Sequence, residues 1–102
     1  MIVQGALLCT VNLAEVHERM IDRGGQAEET WSWIEGLGFE VCPLTEQQAR
    51  TTAELRSGTR PYGLSLGDRA CLALAIERKA TVYTTDRAWK SLSLGIEIEL
   101  IR

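Results

Sequence analysis

The chain of 102 residues has one histidine, three cysteines, one phenylalanine and no apolar run long enough to span a bilayer. Each shortage removes a class of function. His17 sits in a helical segment without a nearby serine or cysteine pair, so a nucleophile–histidine triad has almost no support. Cys9, Cys42 and Cys71 are odd in number, far apart and set among apolar neighbours. That describes small core residues of a reducing compartment rather than disulfides or zinc ligands, and it makes a cytoplasmic location the expectation. The apolar opening, residues 1–11, is too short for a membrane span and lacks the basic start and cleavage site of a signal peptide. Gly63-Leu-Ser-Leu-Gly67 has neither the spacing nor the lysine of a phosphate-binding P-loop. Basic residues number 11 against 14 acidic ones, for a net charge of −3. This argues against coating nucleic acid by bulk electrostatics and leaves room only for a local arginine patch.

What is present suffices for one small domain over residues 1–102, since a hydrophobic content of 45% can bury a single core. Short apolar runs predict strands at 6–9, 39–42, 81–84 and 97–101. Helices are expected at 11–22, 26–37, 45–56 and 87–92, with a loop at 57–63. A further helix runs through 70–76, apolar on every side and therefore buried, with Asp68 in its first turn. Thr10 is placed to cap the first helix and Gly24-Gly25 to close it. The second helix sets Ala27, Trp31, Ile34 and Leu37 on one face, with Trp33 at its margin. Thr45-Glu-Gln-Gln48 has the form of a capping box and opens a polar, largely exposed helix whose narrow stripe is Ala49, Ala53 and Leu55. Strands alternating with helices imply an α/β fold with a mostly parallel sheet.

Three carboxylates stand out within that frame. Asp86 leaves the sheet at the carboxyl end of a strand, the edge at which open α/β sheets bind ligands. Asp68 lies at the start of the buried helix. Glu15, Glu18 and Asp22 fall within about 60° of one another on the first helix, and Glu15 is nearest the strand end. Each has an ordinary alternative: Asp68 completes a capping box with Ser65, Asp86 can cap the short helix after it, and the Glu15 stripe can be a solvated face. Capping does not require all three to come from separate elements to one sheet edge, and such a gathering suits a hard divalent cation and phosphate chemistry. Arg56, Arg60, Arg69, Arg87 and Lys90 flank the two Asp-bearing turns and, as a group, could hold phosphates there.

Thr10-Val-Asn-Leu-Ala-Glu-Val16, Leu64-Ser-Leu-Gly-Asp-Arg-Ala-Cys-Leu-Ala-Leu-Ala75 and Val82-Tyr-Thr-Thr-Asp-Arg-Ala-Trp89 together closely resemble a PIN domain of the VapC toxin type. The resemblance implies a Mg²⁺- or Mn²⁺-dependent endoribonuclease of a toxin–antitoxin system, dimeric and held inactive by a VapB-type antitoxin. It places the acidic site on Glu15, Asp68 and Asp86, as metal ligands and catalytic groups, with Thr84 as the accompanying hydroxyl. Such domains open with a strand ending in Asp-Ala-Ser or similar, which neither residues 1–5 nor any other segment supplies. An incomplete PIN-like sheet is therefore expected, lacking its central strand between those at 6–9 and 81–84. The two neighbours must then pair with each other, with residues 1–3, or with another molecule, giving an altered or intermolecular assembly. Cleavage of RNA is expected to be weak or absent without the missing acid. The rival reading is a catalytically inactive PIN-derived module that uses the surface around Trp31 and Trp33 to engage an antitoxin or a second copy.

Overall fold

The sheet is built around its shortest strand. The computed structural model describes residues 2–3 and 7–101. Its elements are β1 (Ile2–Val3), β2 (Leu7–Cys9), α1 (Thr10–Asp22), α2 (Ala27–Glu35), β3 (Glu40–Cys42), α3 (Glu46–Gly58), α4 (Leu66–Arg78), β4 (Val82–Thr84) and β5 (Ile98–Leu100). Single 3-10 turns lie at Arg60–Tyr62 and Arg87–Ser91. The strand order is β3-β2-β1-β4-β5. β2 pairs parallel with β3 and β4 parallel with β5, whereas β1 runs antiparallel to both of its neighbours. The expected α/β sheet is therefore present, but its centre is antiparallel. Of the alternatives for the central slot, the chain's own residues 2–3 take it: Val3 lies opposite both Leu7 and Val82, and Ile2 opposite Tyr83.

Alternation along β2 divides the core. Leu7 and Cys9 join Cys42, Val82, Ile98, Trp89 and the apolar residues of α4 in the main cluster. Leu8 points the other way, into a smaller cluster with Leu13 of α1 and Ile34 of α2. Helix α4 is buried continuously from Arg69 to Ala75, as the unbroken apolar composition of Ala70 to Ala75 requires of all but the arginine. Ser65 and Asp68 close a reciprocal capping box at its start, and Lys79, at φ 52°, ends it in the left-handed region. Among the described residues no helix is long and apolar enough to cross a membrane.

Four local expectations are corrected. Thr10 does not cap α1, whose N-cap is Cys9; its hydroxyl instead accepts the Leu44 N–H at 3.1 Å, tying the segment after β3 to the start of α1. Helix α2 spans only Ala27–Glu35 and packs chiefly on α1, so Thr30 and Ile34 are buried. Trp31 and Leu37 stay exposed, as does Trp33 at 59%. Helix α3 continues past the expected end to Gly58, and it is largely exposed as expected, but its buried stripe is Gln48 and Thr52 with Leu55 half-buried, continued by Thr59 at its C-cap, while Ala49 and Ala53 face solvent. Hydrogen bonds make that polar stripe possible. Thr45 does accept the Gln48 N–H at 3.1 Å, yet the Gln48 amide, rather than returning to the cap, donates to Glu77 Oε2 of α4 at 2.6 Å.

Candidate active site

β2 and β4 are parallel to each other, and both end at the same sheet edge. β2 runs straight into α1, and β4 hands the chain to a turn that carries Asp86. Beyond β4 the buried Thr84 hydroxyl accepts the Asp86 N–H at 3.1 Å, fixing the turn. Asp86 Oδ1 then accepts the Ala88 N–H at 3.0 Å and caps the 3-10 turn. At the head of α4, Asp68 Oδ2 accepts the Ser65 N–H at 3.0 Å while Ser65 Oγ accepts the Asp68 N–H at 3.1 Å. Both ordinary capping roles are thus real. Each occupies one carboxylate oxygen and leaves the second without a hydrogen bond among the described residues.

Glu15 reaches the same place from the second turn of α1. Asn12, one turn earlier and buried, donates through Nδ2 to the Gly67 carbonyl at 2.9 Å and to Glu15 Oε1 at 3.3 Å. One amide therefore links α1, the head of α4 and the glutamate. Gly67 is buried, and a Cβ there would fall on the Glu15 carboxylate. The missing side chain lets the acid lie against the first turn of α4, where the helix dipole favours negative charge.

The result is a cleft of about 280 Å³ lined by Glu15, Asp68, Asp86 and Thr84, with Asn12, Ser65 and Trp89 among the other walls. Its charged lining is three carboxylates and Arg19. Among the described residues the one ion pair is Arg50–Glu54, on the exposed face of α3, so Arg19 neutralises none of the three acids by direct contact. Glu18 and Asp22 remain exposed and line no part of the cleft. Neither Asn12 nor Gly67 was singled out from sequence. The i, i+3 spacing of Asn12 and Glu15 was visible there, whereas the partnership of Glu15 with Gly67 spans 52 positions and has no local signal.

The basic group separates. Arg56, Arg60 and Arg69 line a different depression, Arg87 lies toward Leu100 and Ile101, and Lys90 donates to the Ile98 carbonyl at 2.8 Å. The five do not ring the acids. His17 is also elsewhere, its Nε2 2.9 Å from the Ala27 carbonyl and its ring 5.2 Å from that of Trp31. All three cysteines are free and buried. Burial pushes the Cys71 thiol up to about 12 and raises Cys42, where the Arg78 guanidinium pulls the other way, so neither supplies a thiolate at neutral pH.

The donor set is all oxygen, as magnesium or manganese prefers. Among the described residues no three His, Cys, Asp or Glu side chains are grouped closely enough to ligate one ion together. An ion in the cleft would therefore be held directly by at most two of these acids, a number with which magnesium is commonly bound.

The PIN-domain sequence profile matches residues 3–93. Two solved structures share the fold. A chain of the DNA-bound VapBC from Salmonella typhimurium aligns with a TM-score of 0.72 at 23% identity, covering 92% of this chain and 74% of that one. A chain of VapBC-5 from Mycobacterium tuberculosis, a VapBC-family toxin–antitoxin system, aligns with a TM-score of 0.63 at 24% identity, covering 92% and 79%. No curated protein matches significantly.

Proposed function

This chain belongs to the PIN-domain family, and from that premise we propose that it is a metal-dependent endoribonuclease of the VapC toxin type, of low intrinsic turnover. The reading is carried by one observation: carboxylates delivered by α1, α4 and the turn after β4 line a single cleft at the carboxyl ends of β2 and β4. A phosphodiester is itself anionic, so three carboxylates would repel it unless a cation stood between them. Magnesium or manganese, when bound, would supply that charge and activate a water for attack on phosphorus.

The chain's own groups have separable tasks. Thr84 positions Asp86, Ser65 positions Asp68, and Asn12 with Gly67 positions Glu15. The carboxylate oxygens not used in capping are those available to a cation or to the water it carries. Low turnover is supported by the centre of the sheet, where β1, between β2 and β4, is Ile2–Val3 and carries no acid. A VapB-type antitoxin as partner is supported by the VapBC neighbours, and a dimer is part of the same proposal.

The test pairs Mn²⁺ titration with cleavage of a mixed RNA substrate. We expect slow cleavage that EDTA abolishes, with Glu15→Gln, Asp68→Asn and Asp86→Asn each weakening Mn²⁺ binding and lowering the rate about 100-fold or more. Cleavage insensitive to EDTA and to all three substitutions would sink the nuclease reading; fast cleavage by the unaltered chain would sink only its low turnover. The alternative, a non-catalytic binding module, is favoured by a separate apolar groove of about 460 Å³ between Leu8, Leu13, Trp31, Ile34, Phe39 and Val41. Absence of Mn²⁺ binding together with tight antitoxin capture is its signature.

A further inference from the structure

We propose that Arg56, Arg60 and Arg69 form a second anion site, which holds a phosphate of the RNA backbone beside the one to be cut. The inference rests on the RNA-substrate part of the function proposed above. Arg56 lies in the last turn of α3, Arg60 opens the 3-10 turn that follows, and Arg69 is in the first turn of α4. Gly63, at φ 61°, turns the intervening chain back so that the three guanidinium groups line one depression of about 350 Å³. No acidic residue lines it, in a chain whose net charge is −3.

Arg69 is the informative member. It is only 7% exposed, and among the described residues it has no carboxylate partner. Its Nη1 donates to the Thr52 carbonyl at 2.8 Å, and its Nε is buried with no hydrogen-bond partner. A buried charge compensated by one neutral carbonyl is costly, and proteins seldom leave it so without use. Nε and Nη2 form one edge of the planar guanidinium, the edge that grips two oxygens of a phosphate side by side. Thr52 holds the other nitrogen and leaves this edge unmet. Arg56 and Arg60, exposed and without a hydrogen bond among the described residues, would close on the same anion from the solvent side.

The relation to the acidic cleft selects the ligand. Asp68 and Arg69 are consecutive residues, and successive side chains on a helix diverge by about 100°. One faces the acids and the other the arginine depression, so the two sites adjoin across the head of α4. A polyanion with phosphates at regular intervals can occupy both, the cation neutralising one phosphate and the arginines its neighbour.

The test is anisotropy of a fluorescent single-stranded RNA 12-mer with the full chain, in EDTA so that no cleavage occurs, over a series of KCl concentrations. For the Arg56→Ala/Arg60→Ala double variant, affinity should fall several-fold at low salt. The log–log salt slope should become shallower by up to about 0.7, the loss of one phosphate contact on a single strand. Arg69→Lys, which keeps the charge and loses the fork, should weaken binding with the slope retained. Arg69→Ala also breaks the tie between α4 and α3, so the two exposed arginines carry the test if that variant does not fold. Unchanged affinity and slope in the double variant overturn the proposal. So does a double variant that loses inorganic phosphate or a polyglutamate peptide while binding RNA normally, which would assign the site to free phosphate or to an acidic protein partner. RNA binding through the arginines without Mg²⁺-dependent cleavage supports this site and removes the nuclease reading; cleavage with binding indifferent to them does the reverse.

Discussion

At Gly67 the usual rule for glycine within a helix is inverted. Replacing an interior helical glycine by alanine ordinarily stabilises by about 1 kcal/mol. Here the new methyl would occupy the place of the Glu15 carboxylate and displace it from the head of α4. Gly67→Ala is therefore expected to destabilise by about 1–3 kcal/mol in urea denaturation and to weaken Mn²⁺ binding. Adding Glu15→Ala removes the clash, so stability should recover in the double variant and the two changes should be strongly non-additive. A Gly67→Ala protein more stable than the original, with its Mn²⁺ response intact, would show that the glutamate rests elsewhere.

Among the elements, the α3–α4 contact departs furthest from an apolar interface. Gln48, 2% exposed, bonds Glu77, and Arg69 bonds the backbone of Thr52. Gln48→Ala would leave the Glu77 carboxylate without that donor, and a cost of about 1–3 kcal/mol in thermal or chemical unfolding is expected. The same interface marks where sequence reading loses its hold. Strands β2 to β5 were legible because short apolar runs sit between turn residues, and α4 because no polar face interrupts it. Asp68 and Asp86 could be placed because cap positions are local. The stripe of α3 was misassigned to Ala49 and Ala53, since a glutamine is buried only where a distant partner receives it, and Glu77 is 29 positions away. Glu15 was identified from its position near the strand end, whereas the amide and the glycine that hold it required tertiary contacts to be seen.

For the whole molecule, the two-residue β1 is the sole strand between the parallel pairs β2–β3 and β4–β5. Val3→Pro, which removes a backbone N–H from the centre of the sheet, is expected to cost about 1–3 kcal/mol. It should also expose strand edges that then pair between molecules. Melting temperature together with sedimentation over a dilution series checks both effects: a variant that melts like the parent and stays equally monomeric would mean that β1 does not hold the sheet together.

Among the described residues β1 meets β2 at Leu7 and β4 at Val82 and Tyr83. The described ladder thus joins the two halves of the sheet through a plate of two residues. Glu15 stands beyond one half and Asp86 beyond the other, and the keystone between them is α4, which packs on α1 and shares a core with both Cys9 and Val82.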